Sequence, residues 1–137
     1  MKSYLKRLFL TYIKQNDESG EIYSGRASGI DDGSYSEEEL VDIILSKRDS
    51  SHHKNKEGFA RAILDVFSYN SDATRGREQQ LIDYNGGAQS EGGTSGNALN
   101  SISRKNKKRD QYLEASKKIF GGLGILFLIL YSIHLFY

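Results

Sequence analysis

Two tyrosines stand eleven residues apart near the start of the chain, Tyr12 in Leu10-Thr11-Tyr12 and Tyr23 in Tyr23-Ser24-Gly25. Each occupies a short β-like run. The turn-forming stretch Asn16-Asp17-Glu18-Ser19-Gly20 between them predicts a hairpin that brings the two phenols into one neighbourhood. Further on, Arg48 and His52 lie four apart, and Glu78 follows in Arg77-Glu78-Gln79-Gln80-Leu81-Ile82. A guanidinium is a fixed cationic fork for an anion, an imidazole passes protons near neutral pH, and a carboxylate with waters holds a hard divalent ion. Taken in this order, the set has the layout of a metal-dependent hydrolytic site.

Positioning these groups requires strands and helices at defined places. Leu8 to Ile13 is short and aromatic-rich, which suits a central strand, and Glu21 to Gly25 gives the return strand. A loop rich in Gly, Ser and Asp follows over residues 28–36. Ser36-Glu37-Glu38-Glu39 reads as a capping box, opening a helix through Leu40, Val41, Ile43 and Ile44 that stops near Asp49-Ser50-Ser51. Arg48 and His52 would share a face if that helix persists one more turn. Residues 59–69 fit either a helix or a strand. A further helix starts near Asp72 to Thr74 and runs to Tyr84, closed by Gly86-Gly87 as a left-handed cap. On it Glu78 shares a stripe with Leu81 and Ile82, where a carboxylate costs desolvation energy unless it is paired or metal-bound. The five glycines of residues 86–96 predict a long flexible loop, and Asp110 to Lys118 reads as a short amphipathic helix.

A chain of 137 residues without cysteine is one domain plus appendages, with no disulfide or thiolate metal site. The N-terminus lacks the pattern of a secretory signal. The net charge of +1 hides an asymmetry. Residues 104–118 carry seven Lys/Arg against Asp110 and Glu114, a net +5, whereas residues 1–103 carry twelve against sixteen Asp/Glu, a net −4. A basic segment beside an acidic body points to an anionic partner, either nucleic acid or a lipid headgroup layer.

With these residues placed, the chain resembles the GIY-YIG nuclease superfamily. Leu10-Thr11-Tyr12 and Tyr23-Ser24-Gly25 stand where the family has its two triplets, in the family's usual tyrosine register. The first triplet lacks its glycine and Ser24 departs mildly from the second. The family's Arg-x-x-x-His lands on Arg48 to His52, after an insertion around residues 27–40, and its metal-binding glutamate on Glu78. A late asparagine falls on Asn97, with Asn85 and Asn100 as competitors. The match covers roughly residues 8–100. The run Arg77 to Tyr84 and the Gly-Gly-Thr-Ser-Gly-Asn stretch look further like the compact toxin modules of bacterial polymorphic toxins, which implies an immunity protein as a partner.

That resemblance implies a small α/β domain of α+β type, a three-stranded sheet (strands near 8–14, 21–26 and 62–69) flanked by helices, and a divalent-metal-dependent endonuclease acting on DNA. Glu78 would hold Mg²⁺, Arg48 would grip the scissile phosphate, and Tyr12 would orient and activate the attacking water. Tyr23 and His52 would complete the network, His52 as a proton shuttle. Arg26 would hold a flanking phosphate, and Asn97 with the cluster Arg104, Lys105, Lys107, Lys108 and Arg109 would contact nucleic acid. His53 has no matched role and is expected in solvent. Rival classes are a non-catalytic nucleic-acid-binding module and a small membrane protein acting through its tail.

The tail, residues 119–137, holds no charge. As a helix at about 1.5 Å per residue it approaches the thickness of a bilayer core. The chain thus divides into a nuclease-like domain at 1–103, a basic amphipathic segment at 104–118 and a transmembrane helix at 119–137. The basic side would keep the domain in the cytoplasm. A buried core helix and a late addition to the chain remain alternatives for the tail, and residues 104–109 read equally as topology signal or nucleic-acid clamp.

Overall fold

The computed structural model describes residues 5–123. It is a small α+β fold with one antiparallel sheet of three strands and three α-helices. The strands are β1 (Lys6–Gln15), β2 (Ile22–Asp31) and β3 (Ile63–Ser68), in the spatial order β2-β1-β3. Between them come α1 (Glu37–Ser50) and, after the sheet, α2 (Ser71–Tyr84) and α3 (Arg109–Phe120), with short 3-10 turns at His53–Glu57 and Gln89–Glu91.

β1 is central because both its faces can be covered. Leu8, Leu10, Tyr12 and Lys14 alternate onto one face and are fully buried, while Thr11 is fully buried on the other. The first face packs against Leu40, Val41 and Ile44 of α1 to form the core. Ser36 caps α1, accepting from the Glu39 amide at 3.2 Å and donating to the Glu39 carboxylate at 3.0 Å. The capping glutamate therefore binds the cap hydroxyl where the expected box has it reach the cap amide. α1 ends at Ser50, so His52 does not continue the helix face of Arg48. It starts the following 3-10 turn instead, its ring accepting from the Lys54 amide at 3.1 Å.

Several expectations change at their edges. β2 runs on to Asp31, well into the segment expected as loop, because the hairpin register carries Lys6 opposite Asp31. In the ambiguous segment the strand wins from Ile63. β3 bulges opposite the Thr11–Tyr12 step, where the partners jump from Val66 to Leu64 and leave Asp65 as the extra residue. Residues 86–97 are hydrogen-bonded throughout, not a free loop: Gly87 donates to Ile82 O at 2.8 Å, Ser95 to Gly87 O, and Gly96 to Ile22 O at 2.7 Å. Gly86 and Gly87 have the positive φ expected of them, 114° and 84°.

α3 lies against α2, so the basic segment is packed onto the sheet-bearing unit. Gly76 permits this: a Cβ there would stand 2.0 Å from the Tyr112 carbonyl oxygen. Arg75 covers the Tyr112 ring at 4.7 Å, and Ser116 donates to Gln80 at 2.6 Å. Ile119 and Phe120, the first residues of the expected transmembrane helix, are the last turn of α3, which Gly121 ends. The rest of that expectation, residues 124–137, lies outside the described residues. Among the described residues no helix is long and apolar enough to cross a membrane.

Candidate active site

The hairpin register sets Tyr12 opposite Gly25 and Tyr23 opposite Lys14, so all four share the face that meets α1. The two phenols are diagonal neighbours with ring centroids 6.4 Å apart. Gly25 decides where the Tyr12 hydroxyl goes. A Cβ at that position would lie 2.4 Å from both Cζ and the hydroxyl oxygen of Tyr12, so the ring lies across the glycine towards the outer strand.

His52 meets both rings edge-on, at 5.7 Å from Tyr12 and 4.9 Å from Tyr23. Its Nε2 is 2.9 Å from the Tyr12 hydroxyl in a buried contact. Because Nδ1 accepts from the Lys54 amide, the neutral ring carries its proton on Nε2 and donates it to the Tyr12 oxygen. Burial first, then the charges of Arg48, His53 and Lys14, push the His52 pKa down to about 4. The expected shuttle is thus held neutral around pH 7, as a fixed donor to the phenol.

Tyr12 is raised above the ordinary phenol range, by burial and then by Tyr23, against the charge and hydrogen bond of Arg48. Tyr23 is raised by burial and by the Glu78 charge, with Arg48 again opposing. In this state both are neutral phenols. Arg48 therefore reaches the cluster from α1, and Glu78 reaches it from α2 on the other face of the sheet. The charges of both act on both tyrosines.

Glu78 is not turned to bulk water. Its side chain is 17% exposed, and it lines a cavity of about 350 Å³ with Tyr23, His53, Lys54 and Ser101. Burial raises its pKa, against Arg26, a Ser101 hydrogen bond, Arg75 and Arg48. Among the described residues no group of three or more acidic or imidazole side chains gathers as a metal cage. A single carboxylate facing a water-accessible cavity suits Mg²⁺, which keeps several waters and takes one or two carboxylates. Glu78 is the one acid on this cavity's wall that could serve such an ion.

The remaining expected residues fall into three groups. Arg26 faces Glu78 at 3.8 Å and donates to Ser71 O at 3.3 Å, so it neutralises the acid. Asn97 is buried, and its amide clamps the β2 backbone, accepting from Ser24 N and donating to Ser24 O, both at 2.8 Å. Of the basic cluster, Arg104 pairs with Glu91 at 2.7 Å, and Arg109 donates to Ile102 O at 2.6 Å with Asp83 at 4.0 Å. Lys105, Lys107 and Lys108 are exposed.

Sequence reasoning missed two features. His53 is exposed as expected, but its ring also stacks on His52 at 4.6 Å and 18°, meets Tyr23 edge-on at 5.6 Å, and lines the Glu78 cavity. Lys14 is fully buried, ion-paired with Asp49 and bonded to Asn55 at 2.7 Å, which ties down the loop carrying His52. A period-two reading of Leu8, Leu10, Tyr12 and Lys14 signals this lysine as a charge at a core position. No family model, curated protein or solved structure matches the chain.

Proposed function

We propose that this chain is a divalent-metal-dependent endonuclease of the GIY-YIG type, cutting DNA phosphodiesters as a bacterial toxin module does. The observation that carries the reading is the Tyr12–His52 contact at 2.9 Å, set where Tyr23, Arg48 and Glu78 all exert their charges or hydrogen bonds. Two phenols, a guanidinium and one half-buried acid from four separate elements serve no packing purpose that apolar residues would not serve better.

The division of labour follows from the hydrogen bonds. His52 donates to the Tyr12 oxygen, which leaves the Tyr12 proton free to point at an attacking water and orient it. Should that proton leave, the same Nε2–H and the Arg48 guanidinium stabilise the phenolate. Arg48 carries the positive charge that the scissile phosphoryl oxygens need as they gain charge in the transition state. Arg26 keeps the Glu78 carboxylate compensated while no cation is present. When bound at Glu78, Mg²⁺ supplies a Lewis acid and a more acidic water.

The test is nicking of supercoiled plasmid by the full chain with Mg²⁺. Glu78→Gln lowers the rate by at least about 100-fold, and chelation of the metal abolishes it. Wild type cutting no better than Glu78→Gln sinks the proposal.

A further inference from the structure

A cavity that Glu78 does not line has Arg48 in its wall. It measures about 540 Å³ and opens between the later half of β2 and α1, within the range of small-molecule sites. Ala27 and Gly29 of β2 and Ile43 and Ile44 of α1 line it, and Tyr35 and Lys47 contribute alongside Arg48. Tyr35 is 53% exposed and Ile43 43% exposed. One carboxylate, Asp32, also lines the space, but it accepts from the Ser34 amide of its own loop at 2.9 Å.

We propose that this groove receives the unpaired base of a nucleotide adjoining the phosphate held by Arg48, so that the substrate class is single-stranded or locally unpaired nucleic acid. The inference rests on the endonuclease reading and deepens it. Three observations favour this occupant. The groove is continuous with the candidate site, because Arg48 belongs to both. Two cations consecutive in α1, Lys47 and Arg48, line it, which suits the phosphates on either side of one nucleotide. Its walls mix apolar side chains with Ser28 and Ser51 and carry a single aromatic ring, Tyr35, the kind of platform on which a base stacks regardless of sequence. A base inside an intact duplex is already stacked on both faces, so entry requires an unpaired strand.

The experiment uses the full chain, a labelled oligothymidine strand and an abasic strand of equal length. Fluorescence anisotropy without metal reads binding, and cleavage with Mg²⁺ reads kcat and KM. Tyr35→Ala weakens binding of oligothymidine and raises KM about tenfold, with kcat within about twofold, while Tyr35→Phe behaves as wild type. On the abasic strand wild type is weakened about equally and Tyr35→Ala adds nothing further. Equal affinity of Tyr35→Ala and wild type for oligothymidine overturns the proposal, as does an equal loss on the abasic strand. The latter outcome would mean that Tyr35 contacts the sugar-phosphate backbone and not a base. If nothing is cut but the base-dependent loss of binding persists, the hydrolytic reading fails and the nucleotide groove stands.

Discussion

Asp65, the extra residue of the β3 bulge, grips Arg77 of α2 with both carboxylate oxygens, at 2.7 and 2.9 Å, one residue before Glu78. Thr11 of β1 donates to the same carboxylate at 2.8 Å. Arg77 is 1% exposed, so this charged contact fixes how α2 sits on the sheet and hence where Glu78 points. The bulge aims the carboxylate at the helix, a common use of an extra strand residue. Asp65→Ala leaves a buried guanidinium uncompensated and should cost about 3–5 kcal/mol in urea unfolding. Adding Arg77→Leu should restore part of that loss. A cost below about 1 kcal/mol for Asp65→Ala would show that packing alone seats α2.

His52 predicts an acid-sensitive fold. Its pKa falls from 6.5 to about 4 on folding, so between those values the unfolded chain binds a proton that the folded chain refuses. The stabilisation is complete above pH 6.5 and declines as pH falls to about 4, by about 3 kcal/mol in all. Asp49, held low by Lys14, acts in the same direction at lower pH. His52→Gln should flatten the slope between pH 6.5 and 4. Identical slopes for the two proteins would contradict the assignment.

Gly25→Ala tests the route of the Tyr12 side chain. The added carbon collides with the end of the ring, so the hydroxyl must leave His52. The expected result is a folded protein by circular dichroism with nicking reduced about 100-fold or more. Proton NMR should show changed His52 ring resonances at the same time. Retained cleavage with unchanged His52 resonances would mean that the ring had another path.

Ser24→Ala should stabilise the protein by about 1 kcal/mol. Among the described residues the buried Ser24 hydroxyl has no hydrogen-bond partner, whereas its backbone groups are the ones that Asn97 holds. Removing the hydroxyl therefore loses no bond and relieves a desolvated oxygen. A destabilisation of similar size would mean that the hydroxyl has a partner in solution.

The hairpin was legible because the turn residues from Asn16 to Gly20 and the strands on either side agree, and the register then follows. The capped start of α1 was legible from Ser36, which accepts from the amide three residues on. α2 ends at Tyr84 as expected but starts at Ser71, one residue before the expected start, under an Asn70 cap not singled out from the sequence. The course of residues 86–97 was not legible. Local composition says flexible, but the segment is ordered by bonds to β2 that no window of sequence contains. The ring contacts of His53 escaped for a similar reason. Its neighbour His52 caps a 3-10 turn that sets the two rings in a stack, and this geometry has no periodic signature. The convergence of Tyr12, Tyr23, Arg48 and Glu78 depended on contacts between distant elements, and only the order of the four was visible in advance.

β2 is an outer strand, yet Gly96 and Asn97 occupy the outward-facing backbone groups of Ile22 and Ser24. Unclaimed groups along such a border are a template for addition of a strand from another molecule. By filling that border from within, the chain keeps the flank beside Tyr23 closed to a second copy of itself. On the far border Ile63 and Leu64 of β3 stand open to solvent. Asn97→Ala, by reopening the near border, should turn a monodisperse solution into one whose particle size grows with concentration.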